Sequence, residues 1–189
     1  MTEYEIPRPT SGDVTELIKE DHRLFEEMLR QMRDVDADRD AVRQAFSELL
    51  VAHSEAEEHE VYPKLKTKKV IAGEEEEHGE EEHAATNEAL LHLLQAKGTD
   101  TQKYEDALEA VAEVLMHHIG EEELSILNPT QTDASDELRA ELGVAFATAR
   151  NQLLEQGCGS LEQVEEVVKK AYDDGVLPND EQPDEESDG

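Results

Sequence analysis

The 189-residue sequence has few basic and few aromatic residues, and the first shortage excludes whole classes of partner. Lysine and arginine total 17 against 49 aspartate and glutamate residues, which gives a formal net charge of −32. A chain of this charge repels the phosphate backbone of nucleic acids and the surface of anionic membranes, because both are bound through lysine and arginine. We therefore expect neither nucleic acid nor membrane as a partner. Aromatic residues make up 4% of the chain, so the core is expected to be mainly aliphatic.

The sequence also lacks a second cysteine and any long apolar run. Its one cysteine, Cys158, excludes an intrachain disulfide. The opening residues, MTEYEIPRPTSGD, contain no basic stretch followed by an apolar one. No segment approaches the ~18 consecutive apolar residues of a membrane-spanning helix. These absences predict a cytoplasmic protein, and the acidity indicates a salt-rich cytosol such as that of an extreme halophile, where salt screens neighbouring carboxylates from one another.

Helical periodicity dominates what is present, and it defines four amphipathic segments separated by turn residues. No sustained alternation bounded by hairpin turns predicts a strand. Because short connections favour antiparallel neighbours, we predict an all-α protein whose first four helices form an antiparallel up-down-up-down bundle. The predicted helices span about residues 13–33, 38–63, 73–98 and 100–129, the last one stopping at Asn128 and Pro129.

The periodicity continues beyond Pro129, over about residues 135–156 and 160–172. We therefore predict a bundle over residues 1–130 and one or two extra C-terminal helices, within residues 131–175, that pack on it. Residues 176–189, VLPNDEQPDEESDG, contain almost no apolar side chains and are predicted to form a disordered acidic tail.

Each of the four bundle helices carries a histidine at a position where the helical period calls for an apolar residue. Two of these histidines are followed four residues later by a glutamate on the same helix face. The two pairs, His53 with Glu57 and His118 with Glu122, repeat 65 residues apart. Two matched pairs that face each other across a bundle are the geometry of a dinuclear metal centre. The inward-facing set is His22, His53, Glu57, His83, His118 and Glu122.

The cost of burying these groups also points to a metal. An unpaired carboxylate in an apolar core costs several kcal/mol, and neighbouring imidazoles add to that cost. When an ion is bound, ionised carboxylates and neutral imidazoles become ligands that stabilise the fold. Nitrogen and oxygen donors without thiolate suit iron, manganese or zinc.

Two of these assignments have competitors in the sequence. His117 with Glu121 has the same spacing as His118 with Glu122. We prefer the His118 register because Glu122 is followed by a second glutamate, as Glu57 is. On the third helix, His83 is preferred to His78 because it continues the apolar stripe of that helix.

Other polar and aromatic residues of the bundle receive less specific predictions. His59 lies six residues after His53, on another helix face, and is expected at the surface. Tyr62 and Tyr104 are candidates for a layer of side chains behind the ligands, although aromatic residues of a bundle usually pack in the core, which is the favoured prediction for both.

Four short segments of the sequence resemble the hemerythrin-like HHE cation-binding proteins, over roughly residues 10–130. The resemblance implies a non-haem di-iron site in a four-helix bundle, with four histidines as terminal ligands (His22, His53, His83 and His118) and Glu57 and Glu122 bridging the irons. It also implies a small ligand such as oxygen, nitric oxide or peroxide, or a role in handling iron. The matching segments are DHRLF (residues 21–25), HSEAEEHEVYP (53–63), EH (82–83) and HIGEEE (118–123).

The resemblance leaves more than one activity open. Oxygen-carrying hemerythrins present two histidines four residues apart on the third helix, whereas His78 and His83 are five apart. The ligand set is more similar to that of proteins that repair damaged iron-sulfur centres. No nucleophile-base-orienter triad or phosphate-binding loop is found, so we favour a metal-binding protein for sensing, storage or stress defence. The alternatives are a di-iron enzyme that reduces peroxide or nitric oxide or aids iron-sulfur repair, and a metal-free structural bundle.

Overall fold

The computed structural model describes residues 4–178, which fold into eight α-helices and two π-helical segments without a strand. The all-α prediction is confirmed for these residues, while the up-down order of the bundle stays a prediction. The helices are α1 (Val14–Arg33), α2 (Arg39–Ala56), α3 (Tyr62–Thr67), α4 (Gly73–Leu94), α5 (Gln102–Glu122), α6 (Asn128–Asp133), α7 (Asp136–Gln156) and α8 (Leu161–Asp173).

None of the described helices is both long enough and apolar enough to cross a membrane.

Side-chain caps fix several helix ends. The Asp13 carboxylate accepts the backbone N–H of Thr15 at 2.9 Å and begins α1. Ser160 begins α8 with a capping box, in which Ser160 and Gln163 each bond the other's backbone N–H. Gly157 ends α7 in the left-handed conformation, with φ of 72°, which glycine adopts without steric cost.

Four long helices form a ring. In this ring α1 packs on α2 and α5, and α4 packs on α2 and α5. Helix α7 lies against α1 and α2, and α8 lies against α4. The apolar side chains form two buried clusters. Along α1, Ile18 belongs to one cluster and Phe25 to the other, and His22 lies between them, so a polar layer separates the two apolar ones.

Both His-Glu pairs lie at the start of a π-helical segment, since Glu57 is the first residue of one and Glu122 directly precedes the other. These segments are Glu57–Val61, after α2, and Glu123–Leu127, after α5. Single π turns within α-helices occur often at functional sites. A proline follows each segment, in the first turn of the next helix, where its missing N–H costs little. The prediction that the fourth helix stops at Asn128 and Pro129 is therefore wrong, because the chain continues as α6.

The C-terminal part packs on the ring through α7 and α8. Cys158 lies in the connection between them and is buried. Leu177 is buried within the same apolar cluster as Phe25. Most of the tail predicted to be disordered, residues 179–189, lies outside the described residues.

Candidate metal centre

The structure brings all six inward-facing residues predicted from the sequence together, and every one of them is buried. Their ligand atoms form two groups, within each of which the atoms lie no more than 4.8 Å apart. The first group contains His22, His53, Glu57 and Glu122, and the second contains Glu57, His83 and His118.

Glu57 belongs to both groups and offers one oxygen to each. Its Oε1 lies 3.1 Å from Nε2 of His53, and its Oε2 lies 3.2 Å from Nε2 of His83. Glu122 occupies the corresponding place on α5, with Oε2 at 3.1 Å from His22 Nε2 and 3.8 Å from His118 Nε2. The two glutamates therefore connect histidines from all four helices of the ring.

A carboxylate holds the outer nitrogen, Nδ1, of every one of these imidazoles. Because a carboxylate only accepts hydrogen bonds, Nδ1 carries a proton, and in the neutral ring the lone pair is left on Nε2, which faces the centre. Outer carboxylates of this kind orient histidine ligands and make them more basic. The Nδ1-to-oxygen distances are 2.8 Å for His22 and Glu123, 3.1 Å for His53 and Asp21, 2.8 Å for His83 and Glu58, and 3.0 Å for His118 and Glu82.

Asp21 is itself held by a buried arginine of α7. The Arg150 guanidinium donates to both carboxylate oxygens of Asp21 at 2.7 Å, and its side chain is only 1% exposed. Two-pronged pairing of this kind is strong and fixes the orientation of the carboxylate. Since Asp21 in turn receives His53 Nδ1, a buried chain of three residues runs from α7 to the centre.

The Tyr62 side chain closes one side of the centre. Its hydroxyl donates to Oε1 of Glu122 at 2.8 Å and lies 3.3 Å from Oε2 of Glu57. The tyrosine ring is stacked on the His83 ring, with 5.8 Å between centroids. Gly79 makes room for it, because a Cβ there would lie 2.9 Å from a carbon of the Tyr62 ring. Of the two predictions for Tyr62, packing and a position beside the ligands, its contact with both glutamates favours the second.

Tyr104 behaves as the sequence analysis predicted. It is buried, and its hydroxyl donates to the backbone oxygen of Met32 at 3.3 Å.

Opposite charges dominate the electrostatics of the centre. Burial disfavours a charged His53, yet Glu57 and Asp21 raise the pKa of this imidazole to about 10. For His83 the opposing effect is again burial, and Glu57 and Glu58 raise its pKa to about 10. Burial alone would raise the pKa of Glu57, but His53 and His83 hold it well below its usual range. Burial and the two glutamates raise the pKa of Tyr62 well above its ordinary value, so its hydroxyl keeps its proton.

Four atoms facing the centre are buried and make no hydrogen bond among the described residues, although they lie opposite one another as two imidazole-carboxylate pairs at 3.1 Å. They are Nε2 of His22 and of His53, Oε1 of Glu57 and Oε2 of Glu122. A buried polar atom without a partner costs about 1–3 kcal/mol, so four of them at one point need an explanation. A cation bound among them would satisfy all four, and the donor set of imidazoles and carboxylates fits iron, manganese or zinc.

The competing histidines lie at the surface. His118 is buried, whereas the side chain of His117 is 68% exposed. His83 is likewise buried, and the side chain of His78 is 51% exposed. His59 is exposed as predicted and pairs with Glu55 on its own helix. The geometry therefore favours His118 with Glu122 over His117 with Glu121, and His83 over His78.

The sequence analysis missed the residues that support the predicted ligands. Glu58 and Glu123 each follow a predicted ligand directly in the sequence, and Asp21 directly precedes one. Arg150 carries a signal of its own, because it lies four residues after Phe146 and four before Leu154, two buried apolar residues. A charged residue within such a stripe indicates a buried ion pair.

The comparison with curated proteins gives a distant relative, described as a DNA nickase, from Nostoc sp. (strain PCC 7120 / SAG 25.82 / UTEX 2576). It is 23% identical over 145 residues, which cover 75% of this chain. The match spans 40% of the relative's length. No solved structure matches this chain significantly.

A family model gives the clearest comparison. The hemerythrin HHE cation-binding domain matches residues 13–129. This range includes all six inward-facing residues and both π-helical segments. The chain therefore belongs to the hemerythrin HHE cation-binding domain family.

Proposed function

We propose that this protein holds two non-haem iron ions in the buried centre and uses them to bind a small ligand such as oxygen, nitric oxide or peroxide. Iron sensing, iron storage and stress defence are the roles that fit such a centre. The observation that carries the proposal is the convergence of four buried ligand atoms that make no hydrogen bond, from His22, His53, Glu57 and Glu122. Family membership supports a cation as their partner.

Two ions, rather than one, are supported by the division of the ligand atoms into two groups. Glu57 offers a different oxygen to each group, at 3.1 and 3.2 Å from the nearest imidazole nitrogens. A carboxylate that faces two sets of ligands in this way is suited to bridge two ions. In the second group, Nε2 of His83 and Nε2 of His118 lie 3.0 Å apart, so both point at one position.

Iron with imidazole and carboxylate ligands supplies electron transfer and open coordination positions. The chain's own residues set the conditions for that chemistry. The four outer carboxylates orient the imidazoles, and Tyr62 keeps a proton on its hydroxyl next to Glu122. The apolar clusters on either side of the polar layer exclude bulk water from it.

Nickase activity is not part of this proposal, although the Nostoc relative carries that description. The net charge of −32 opposes contact with a DNA backbone, since such contact depends on lysine and arginine.

The test is a metal count combined with an optical spectrum, on protein purified without a metal-affinity tag. After anaerobic loading with ferrous iron and desalting, we expect about two tightly held irons per chain and charge-transfer absorption on exposure to air. Absorption that reverses under vacuum would indicate oxygen binding, and steady consumption of peroxide would indicate an enzyme. Well under one iron per chain would overturn the proposal in favour of a structural bundle.

A pair of neighbouring variants sharpens this test. His118→Ala removes a buried ligand and is expected to lower both the tightly held iron and the thermal stability. His117→Ala changes the adjacent, exposed imidazole and should leave the charge-transfer absorption of the iron-loaded protein intact. If His117→Ala lowered the iron content and His118→Ala did not, the ligands would be His117 and Glu121 instead of His118 and Glu122.

A further inference from the structure

A half-open pocket of about 300 Å³ lies between the segment before α1, α1 itself and α7. We propose that this pocket, which we call the α1–α7 pocket, binds a small, uncharged apolar organic molecule such as an aromatic hydrocarbon. Most of its lining is apolar, from Pro7, Pro9, Leu17, Leu24 and Phe146.

The size and the lining of the α1–α7 pocket suit a small organic ligand. Ligand sites are concave, mainly apolar and commonly about 300–1,000 Å³ in volume. An apolar cavity of about 150 Å³ stays free of water and binds benzene. The α1–α7 pocket therefore has room for a molecule of roughly two or three aromatic rings.

The part of the wall that precedes α1 is held in place by hydrogen bonds from α7. Nη1 of Arg150 donates to the backbone oxygen of Pro7 at 3.0 Å, and Nδ2 of Asn151 donates to the backbone oxygen of Pro9 at 2.7 Å. The proline rings also fix φ at these two positions, so the segment has little freedom to collapse into the pocket. The pocket is thus formed before a ligand arrives, which lowers the entropic cost of binding.

The charges around the pocket cancel, and this sets the charge of the ligand. Asp21 and Arg150 line the pocket as a buried pair, with both carboxylate oxygens and all three guanidinium nitrogens already bound to partners. The other two charged residues of the lining, Glu20 and Arg23, are exposed and of opposite sign. Because the lining has no net charge and no free buried charge, it favours an uncharged molecule over an anion or a cation.

The experiment compares two dyes with the same rings, on full-length protein purified without a tag. N-phenyl-1-naphthylamine is uncharged and fluoresces more strongly in apolar surroundings, and 1-anilinonaphthalene-8-sulfonate carries an added sulfonate. We expect about one uncharged dye per chain, and binding of the sulfonate at least ~10-fold weaker, since the net charge of −32 also repels it. A loosely packed protein would bind the sulfonate too. Equal binding of the two dyes, or no binding of the uncharged one, would overturn the proposal.

Two leucines give a matched pair of variants. Leu24→Trp places an indole in the pocket and should weaken binding of the uncharged dye at least ~10-fold. Leu124→Trp introduces the same side chain outside the pocket, at a leucine that is 67% exposed, and should bind the dye as the unchanged protein does. Circular dichroism checks that both variants fold. Unchanged binding in Leu24→Trp, or an equal loss in the two variants, would contradict a ligand in the α1–α7 pocket.

Crystals of the unchanged protein grown with 1-bromonaphthalene locate the ligand without any substitution. We expect the anomalous signal of bromine in the α1–α7 pocket, against Leu24 and Phe146. Bromine bound only elsewhere would overturn the assignment. None of these measurements depends on a bound metal, so failure of the pocket and failure of the buried centre are separate results.

Discussion

The two His-Glu pairs have the same spacing, but the structure surrounds them differently. Behind His53, the carboxylate of Asp21 is 5% exposed and is locked by Arg150. Behind His118, the carboxylate of Glu82 reaches the surface and faces His78 and His117. One side of the centre is thus sealed by a buried ion pair, and the other is connected to solvent through a carboxylate.

The difference comes from the C-terminal helices. Helix α7 packs on α1 and α2 and carries Arg150, which lies behind Asp21 on the His53 side. The outer surface of α4 and α5 at His78 and His117 is left exposed. The two His-Glu pairs have the same spacing, but a buried arginine of α7 lies behind one of them and not behind the other. We therefore expect the side sealed by Arg150 to contribute more to the stability of the fold.

Replacing Arg150 should have the largest effect on stability. Arg150→Met leaves the buried Asp21 carboxylate without its ion pair, and we expect a loss of about 3–5 kcal/mol in the free energy of unfolding. Chemical denaturation followed by circular dichroism measures this. Arg33→Met is the matched control, because Arg33 pairs with Glu109 at 2.7 Å on the surface, and should cost no more than ~1 kcal/mol. Equal losses of unfolding free energy in the two variants would contradict the conclusion that the buried pair of Arg150 and Asp21 stabilises this side of the centre.

The reactivity of Cys158 tests whether the connection between α7 and α8, which helps to hold α7 in place, opens. Its thiol donates to the backbone oxygen of Glu48 at 3.3 Å, and burial raises its pKa to about 11. Because the thiolate is the reactive form and the folded pKa is raised, alkylation at pH 8 should be about a hundredfold slower than in the unfolded chain. The rate in the folded protein should rise as the pH approaches 11. Equal rates at pH 8 for the folded and urea-unfolded chains would show that this connection opens readily.

The outer carboxylates allow the two sides to be compared directly. Asp21→Asn and Glu82→Gln each replace a carboxylate that orients a histidine, and such changes lower metal affinity about 10–100-fold. We expect Asp21→Asn to lower the metal affinity by about 100-fold, because it also leaves Arg150 buried without its charged partner. We expect Glu82→Gln to lower it by about 10-fold. Competition with a chelator of known affinity gives both values. A larger loss in Glu82→Gln would reverse the ranking of the two sides.

The six inward-facing residues could be predicted because helical periodicity is local. His53 and Glu57 interrupt one stripe of one helix, so their spacing alone places both on the inner face. The resemblance to the HHE proteins then identified these six residues, in their order along the four helices, as ligands of one metal centre. The preference for His118 over His117 also rested on a local pattern, a glutamate doublet repeated in both motifs.

The supporting residues could not be predicted in the same way because their partners are distant in sequence. The stripe of α7 indicates that Arg150 is buried, but Asp21 is 129 residues away, and only the packing of α7 on α1 brings them together. The contact of Tyr62 with Glu57 could not be derived from the sequence for a different reason. It lies five residues after Glu57, and the usual period of an α-helix places the residue four positions on, Val61, on the same face.

The first π-helical segment explains that contact, and the two segments differ in what they place beside their His-Glu pairs. A turn with one additional residue moves position five onto the face that position four would occupy, so a phenol follows Glu57 there. The second π turn begins one position later relative to its His-Glu pair, at Glu123, and Leu127 within it is buried in the apolar cluster of Ile18. The first π turn therefore brings a phenol to the carboxylates, whereas the second adds Ile126 and Leu127 to apolar packing, and deleting one residue from the first turn should rotate the phenol away from both glutamates.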